Sequence, residues 1–258
     1  MLQGQRALVI GASGGLGAAI ATTLARHGAA LALAGRDRAR LLSDARSIGA
    51  ETGVVTCAEH IDLADASSIE HGVAHAAETL GGLTLLVNAA GKVANGRFEA
   101  TTEQDWRESI DVKLLGTMAV IRAALPALKI SRGVILTISG LYGREPAAGQ
   151  IISGAINAAL ANSHKALAAD LGPHGVRVLT LCIGGFMTPR LRTIVEAAAT
   201  YNGLSFDEEL HRQQQALPTG RFGDPEELAE LIAFLASPRC PYLNGTSLVI
   251  DGGACHAC

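Results

Sequence analysis

A glycine-rich loop follows the first short apolar run of the sequence and carries its clearest chemical signal. Residues Arg6 to Ile10 are typical of a strand, and a helical pattern begins just after the loop. Glycine permits the tight turn, leaves main-chain amides open to a ligand, and brings a helix N-terminus beside it. We therefore expect a pyrophosphate to bind at Gly11, Ser13, Gly14, Gly15, Leu16 and Gly17. The alternative is a turn with a purely structural role.

The end of the second predicted strand, Leu31 to Ala34, decides which dinucleotide fits. An acidic residue here would accept both ribose hydroxyls of NAD, but the chain has Gly35 followed by Arg36. Glycine leaves room for a 2′-phosphate, and a guanidinium can bind that phosphate in bidentate fashion. The pattern favours NADP, with NAD as the weaker prediction. The alternative is that Arg36 is a solvated loop residue and Asp37 binds the ribose.

Short runs of β-branched and aliphatic residues alternate with segments of helical periodicity along the chain. The predicted strands are 6–10, 31–34, 53–57, 83–87, 133–138, 176–182 and 247–250. The predicted helices are 16–27, 38–48, 66–79, 104–128, 153–171 and 225–236. Apolar strands separated by helices indicate a parallel sheet that is buried on both faces. We expect an α/β fold with a doubly wound parallel sheet of seven strands.

The chain is expected to form one domain over residues 1–258. No Pro- or Ser-rich linker and no internal repeat divides it, and 258 residues suffice for one large core. The segment 188–223 is the one long interruption of the alternating pattern. A long connection beside strand ends often covers a ligand, so we predict a lid there.

Composition limits the partners and the compartment. The net charge of −3, the absence of a basic run and the single Trp argue against a nucleic-acid partner. Five cysteines, an odd number, and an N-terminus without a long apolar core predict a reduced, cytoplasmic protein. The most apolar stretches are broken by Gly, Ser and Asn, which predicts core elements and no membrane span.

The ordered motifs resemble the short-chain dehydrogenases/reductases over essentially the whole chain, which implies a Rossmann-type fold. Gly-x-x-x-Gly-x-Gly after the first strand is followed by Asp62-Leu63, Asn88-Ala-Ala-Gly91, Thr188-Pro189, Gly220 to Glu227 and Val249 to Gly253. The family's usual Pro-Gly after the sixth strand stands here as Ile183-Gly184. The resemblance implies cofactor contacts by Asp62, Leu63, Asn88, Ala90, Gly91, Gly184 and Thr188.

The family's proton-transfer residues are not found at their expected places. None of the three tyrosines, Tyr142, Tyr201 and Tyr242, is followed by Lys four positions later. The family's register puts Gly140 at the usual Ser, Ser153 at the Tyr, Asn157 at the Lys and Lys113 at the Asn. Losing a positioned general acid costs roughly 10²–10⁴ in rate. Ordinary carbonyl reduction therefore needs a replacement.

Two replacements suggest themselves. The family's Asn and Lys have exchanged places as Lys113 and Asn157, so an inward Lys113 would return an ammonium to the site. The alternative is that the Lys113 stem runs along its helix to solvent. Ser139 and Tyr142 offer hydroxyls near Gly140, with packing or exposure as the alternative for Tyr142. The predicted catalytic set is Lys113, Ser139, Tyr142, Ser153 and Asn157.

Further polar residues have simpler interpretations. Arg144 and Glu145 either select a charged substrate or pair with each other. The Cys255-His256-Ala-Cys258 tail resembles half a zinc site, but no second half exists. A frayed or subunit-contact tail is therefore expected and no metal, with a bound metal or a redox-active or disulfide pair as the weaker alternatives. We expect His164 to be a surface or interface residue.

These observations predict an NADP(H)-dependent oxidoreductase with an altered proton-transfer site, acting on an unidentified small carbonyl or alcohol substrate. One alternative is a redox-neutral isomerase, lyase or cyclase on the same fold. The other is a noncatalytic nucleotide-binding subunit. The resemblance also implies a homo-oligomer, a tetramer, in which Ala-rich helix flanks let subunits approach closely.

Overall fold

Seven parallel strands form one sheet in the computed structural model, which describes residues 1–257. They are β1 Arg6–Ile10, β2 Ala30–Gly35, β3 Thr56–His60, β4 Leu85–Asn88, β5 Val134–Gly140, β6 Arg177–Ile183 and β7 Ser247–Ile250. Their order across the sheet is β3-β2-β1-β4-β5-β6-β7. This Rossmann-type, doubly wound arrangement confirms the predicted fold class.

Helices cover both faces of the sheet. They are α1 Gly15–Arg26, α2 Arg38–Thr52, α3 Ala66–Leu80, α4 Glu103–Ser109, α5 Gly116–Ser131, α6 Ile151–Leu171, α7 Pro189–Asn202, α8 Phe206–Gln215 and α9 Pro225–Ala236. A π-helical segment, Ile110–Leu115, joins α4 to α5. Side chains of α1, α2 and α9 pack in the core on one face, and those of α3, α5 and α6 pack on the other. Successive side chains of a strand point to opposite faces, so Val9 packs in the core on one face and Ile10 in the core on the other.

The chain reverses its direction of travel across the sheet at β1, which lies between β2 and β4. In open α/β sheets this switch point forms a crevice at the carboxyl ends of the strands, where ligands bind. The loops after β1, β4, β5 and β6 all begin at this edge, because the strands are parallel and their carboxyl ends lie side by side. The predicted site residues therefore share one edge of the sheet.

Some predicted boundaries differ from the structure. The third strand is Thr56–His60 and not 53–57, because Gly53 ends α2 in the left-handed conformation at φ 73°. The predicted helix 104–128 is three consecutive segments that reach Ser131. The predicted lid, 188–223, contains the helices α7 and α8, and Glu209 of α8 is fully buried and hydrogen-bonded to Asn202 at the end of α7.

The continuous helical stretch Glu103–Ser131 has the length and apolar content needed to cross a membrane, the only such stretch found within residues 1–257. Its residues Val120, Ala124 and Leu128 are fully buried in the core beside α3. The stretch therefore packs as a core helix of this fold.

Candidate functional site

The glycine loop after β1 has a backbone that other residues would disrupt. Gly11 has φ +83°, and a Cβ there would lie 2.8 Å from the Cβ of Ala90 in the loop after β4. A Cβ at Gly17 would lie 2.1 Å from the carbonyl oxygen of Gly11. The start of α1 therefore packs directly on the loop, and Gly14 and Gly15 remain exposed at the helix N-terminus. This geometry suits a bound pyrophosphate.

The end of β2 lies next to this loop. A Cβ built on Gly35 would lie 3.6 Å from both the Ser13 Oγ and the Leu41 Cδ1, so the end of β2 packs closely against the glycine loop. Arg36 is exposed, whereas the Asp37 carboxylate caps α2 and accepts a hydrogen bond from the Arg40 amide at 3.1 Å. One oxygen of the Asp37 carboxylate therefore has a structural partner, whereas the Arg36 side chain has no hydrogen-bond partner within the described residues.

The remaining predicted cofactor residues lie along the same edge. Asp62 accepts a hydrogen bond from the Ala64 amide at 3.0 Å, and the buried Leu63 packs against Gly116 at the start of α5. The Gly184 amide donates to the Ile250 carbonyl at 3.0 Å, and the Thr188 hydroxyl caps α7. A Cβ on Gly15 would lie 3.0 Å from Thr188, so α7 begins directly against the glycine loop.

A buried row of polar side chains crosses three neighbouring strands. The Asn88 amide of β4 donates to Thr137 Oγ1 of β5 at 3.1 Å. His164 of α6 bridges the next pair, with Nε2 3.4 Å from Thr137 Oγ1 and Nδ1 2.9 Å from Thr180 Oγ1 of β6. The prediction of a surface or interface His164 was wrong, because the ring fills a core position where these hydroxyls satisfy both nitrogens.

Lys113 points into the protein from the π-helical segment. Its side chain is only 7% exposed, and its Nζ donates hydrogen bonds to the Ile138 carbonyl at 3.0 Å and the Ala90 carbonyl at 3.2 Å. Gly91 makes room for it, because a Cβ there would lie 2.3 Å from the Lys113 Cδ. The alternative that the stem runs to solvent is wrong. An ammonium instead lies between the loop after β4 and the end of β5.

Burial governs the titration of this lysine. Desolvation, helped by the positive charge of Arg190, lowers the pKa of Lys113 from 10.5 to about 8. Burial, helped by the charge of Lys113, lowers the pKa of His164 to about 4. At neutral pH the lysine is therefore mostly an ammonium near its titration point, and the histidine is neutral.

Asn157 and two serines form a second polar chain beside Lys113. The Ser139 hydroxyl donates to Asn157 Oδ1 at 3.0 Å, and the Asn157 amide donates to Ser153 Oγ at 3.2 Å. A Cβ on Gly140 would lie 2.7 Å from Asn157 Nδ2, so the missing side chain at position 140 makes room for this amide. Lys113 and Asn157 thus bond to consecutive residues of β5, Ile138 and Ser139.

The loop after β5 contains Tyr142 and Glu145. Tyr142 is 38% exposed and lines the cavity described next. The interpretation that Glu145 pairs with Arg144 was wrong, because its carboxylate accepts hydrogen bonds from the amide and ring of His256 at 2.5 and 3.0 Å. These hydrogen bonds lower the pKa of Glu145 to about 2.

No three metal-binding side chains cluster within residues 1–257, and Cys258 lies outside the described residues.

A cavity of about 720 Å³ lies over this edge of the sheet and under α7 and α8. All five predicted catalytic side chains line it. Lys113 comes from the π-helical segment, Ser139 from β5, Ser153 and Asn157 from α6, and Tyr142 from the loop after β5. Cofactor-loop residues Leu16, Gly91, Gly184 and Thr188 line it as well. The structure therefore joins the predicted cofactor edge and the predicted catalytic residues in one space.

Comparison with known proteins assigns the family. The family model described as enoyl-(acyl carrier protein) reductase matches residues 11–255. The 2,5-dichloro-2,5-cyclohexadiene-1,4-diol dehydrogenase of Sphingobium indicum is 34% identical over 98% of this chain and 96% of its own. The chain belongs to the short-chain dehydrogenases/reductases. The resemblance found in its motifs is thereby confirmed.

Two solved structures of short-chain dehydrogenase/reductase type match the whole fold. L-Sorbose reductase of Gluconobacter frateurii, in complex with NADPH and L-sorbose, superposes with a TM-score of 0.94 at 27% identity and covers 100% of this chain and 98% of its own. An NADPH-bound short-chain oxidoreductase of Pseudomonas aeruginosa PAO1, described as containing an atypical catalytic center, gives 0.88 at 30% identity over 98% and 97%.

Three features of the site of this short-chain dehydrogenase/reductase were not predicted from its sequence. Thr137 and Thr180 alternate with apolar residues on their strands, which would have placed them on one face of the sheet. His164 follows Asn157 by two helical turns and so shares its inward face. Arg190 lines the cavity from α7, and nothing in its local sequence distinguishes it from a solvated arginine.

Proposed function

We propose that this chain is an NADP(H)-dependent oxidoreductase that interconverts a small carbonyl compound and its alcohol with a rearranged proton-transfer site. The observation that carries the proposal is the Lys113 ammonium, buried at the end of β5 and facing the cavity beside Asn157 and Ser139. A chain that only kept the fold would have no need to bury a charge at this point, because burying a charge is costly.

The residues present fit NADP. The glycine loop can hold the pyrophosphate, Gly35 places no acidic side chain at the end of β2, and the exposed Arg36 can pair with a 2′-phosphate. One oxygen of the Asp37 carboxylate accepts a hydrogen bond at the start of α2, which makes Asp37 the weaker candidate for a ribose contact. The NADPH complexes of the two structural relatives support the same choice.

When bound, NADPH supplies a hydride to the carbonyl carbon, and the carbonyl oxygen takes one proton to give the alcohol and NADP⁺. The chain must stabilise the negative charge that develops on this oxygen. Lys113 provides the positive charge, and Tyr142, Ser139 or water provides the proton. Asn157 holds the Ser139 hydroxyl in place through its Oδ1. The atypical center of the Pseudomonas aeruginosa relative supports a working site that departs from the usual pattern.

Single-turnover oxidation of NADPH tests the proposal. Protein in excess over NADPH is mixed with a panel of small ketones, aldehydes and quinones, and the loss of reduced-nicotinamide absorbance is followed. Oxidation that depends on both protein and acceptor supports an oxidoreductase. A protein that binds NADPH but reduces no acceptor would instead favour a redox-neutral enzyme or a noncatalytic nucleotide-binding subunit.

Replacing Arg36 by alanine is expected to weaken NADPH binding by about 1–3 kcal/mol, because a charge-assisted contact to the 2′-phosphate is lost. NADH lacks that phosphate, so its affinity should stay nearly unchanged. Fluorescence titration of both cofactors with the parent protein and the variant measures the effect. Tighter binding of NADH than of NADPH by the parent would contradict the NADP assignment.

We also propose that the protein is a homotetramer. The edge strand β7 presents the exposed Val249, and the neighbouring α9 presents the exposed Phe234. A second group, Leu115 and Ile151, is exposed around the start of α5 and α6. Two separate apolar faces are what a closed tetramer built from twofold contacts requires.

Light scattering coupled to size exclusion is expected to give four times the chain mass of 26.5 kDa at micromolar concentration. Replacing Val249 by lysine should reduce the assembly to dimers, because a charge would be buried at one of the two faces. A parent protein that elutes as a 26.5 kDa monomer would refute the assignment.

A further inference from the structure

The charged side chains that line the cavity are all basic. Lys113 is buried there and Arg190 reaches it from the exposed start of α7. Within residues 1–257, no Asp or Glu contributes to the lining. The chain as a whole has a net charge of −3, so this positive cavity contrasts with an acidic protein. A cavity lined by one sign of charge attracts ligands of the opposite sign.

Arg190 differs from the other arginines of the lid. The Arg192 guanidinium lies 6.0 Å from the centre of the Phe206 ring, and Arg212 pairs with the buried Glu209 at 2.7 Å. Arg190 has no ion-pair partner in the described part of the chain. Its guanidinium is therefore available for a ligand in the cavity.

The two cations also act on each other. The charge of Arg190 is one of the causes that lower the pKa of Lys113, so the two groups lie within Coulombic range across the cavity. An anion placed between them would offset this repulsion and would regain some of the solvation that Lys113 loses by burial. The pair of cations therefore favours an anionic ligand between them.

The rest of the lining sets the shape of the ligand. Apolar side chains from four parts of the chain surround the two cations, namely Val93, Leu141, Phe186, Leu191 and Phe222. They suit an apolar body, and the amides of Asn95, Gln150 and Gln213 in the same lining can bind uncharged polar groups attached to it. The volume of about 720 Å³ must hold both this body and the nicotinamide end of the cofactor.

Resting on the proposed function, we infer that the substrate is a small carbonyl or alcohol compound with an apolar body and a carboxylate. Arg190 binds the carboxylate, and the reacting oxygen faces Lys113. Arginine suits this role because its planar fork matches a carboxylate in bidentate fashion.

Binding of unreactive probes tests the anion site without turnover. Benzoate and its neutral counterpart benzamide are titrated by calorimetry into NADP⁺-saturated protein at low salt. We expect benzoate to bind more tightly than benzamide, and Arg190→Met to weaken benzoate by about 10- to 100-fold. Arg190→Lys should retain part of the affinity. Arg192→Met, on the same helix but outside the cavity lining, is the matched control and should leave benzoate binding unchanged.

Three results would overturn the inference. Equal affinity for benzoate and benzamide would show that charge is not recognised. Equal losses in Arg190→Met and Arg192→Met would show a general effect of lid charge. A loss of NADPH affinity in Arg190→Met, with benzoate affinity intact, would assign Arg190 to a cofactor phosphate.

A turnover pair separates this inference from the proposed function. NADPH oxidation is compared for 4-oxocyclohexanecarboxylate and 4-oxocyclohexanecarboxamide, which share a ring and differ in charge. Arg190-dependent benzoate binding without oxidation of NADPH by any carbonyl would keep the anion site and reject the oxidoreductase. Oxidation by neutral carbonyls alone, without benzoate binding, would keep the oxidoreductase and reject the anionic substrate.

Discussion

Lys113→Met is expected to remove most of the turnover, by roughly 10²–10⁴-fold, while NADPH affinity stays nearly unchanged. The methionine keeps most of the length of the buried stem but has no charge, so the oxygen that gains negative charge during reduction loses its stabilising ammonium. Single-turnover oxidation of NADPH with the best acceptor of the carbonyl and quinone panel measures the rate. Cofactor fluorescence measures the affinity.

Ser153→Ala is the matched control, because Ser153 lies in the same cavity and only accepts a hydrogen bond from Asn157. Its rate should change little. The parent rate should also fall as pH rises through about 8, where Lys113 loses its proton, and Lys113→Met should lack this step. Full activity of Lys113→Met, or an unchanged pH profile, would remove the role proposed for the lysine.

The parent protein is expected to gain stability relative to Lys113→Met between about pH 8 and pH 10.5, by up to about 3 kcal/mol. The folded pKa of Lys113 is lowered, so within this window the unfolded chain binds more protons than the folded one, and stability rises with pH. Below about pH 8 both states carry the charge, and above pH 10.5 neither does. The difference between the two proteins is constant outside the window.

Urea unfolding of both proteins at several pH values measures this difference, since all other titrating groups are shared and cancel. The Arg36→Ala variant, which changes an exposed residue, is the control and should follow the parent curve. A parent-minus-variant difference that stays flat from about pH 8 to pH 10 would mean that Lys113 is not desolvated in the folded protein.

The sequence predicted the sheet, its direction and its binding edge because those properties depend on local patterns. The apolar runs of β1 and β4 and the glycine loop each signal their structure within a few residues. The family's register also predicts where Lys113 and Asn157 fall, as an exchanged pair. Whether these residues are the working site stays a prediction.

The contacts that fix the direction of single side chains were not available from the sequence. Lys113 had an inward and an outward interpretation, and its π-helical segment together with the space left by Gly91 decides for the inward one. His164 was misplaced because its partners Thr137 and Thr180 come from strands far away in the chain. Arg190 could be recognised as a cavity residue only from the packing of α7 over the cavity. The meeting of residues from distant parts of the chain depends on the tertiary structure.

The contact between Gly140 and Asn157 also bears on how this site can change during evolution. A side chain at position 140 would require the Asn157 amide to shift, which would disturb its hydrogen bonds to Ser139 and Ser153. A serine at position 140 is therefore disfavoured while Asn157 is present. A lysine at position 157 would in turn bring a second buried cation close to Lys113, and the two ammonium groups would repel each other. The effect of a substitution at position 113, 140 or 157 is therefore expected to depend on the residues at the other two positions.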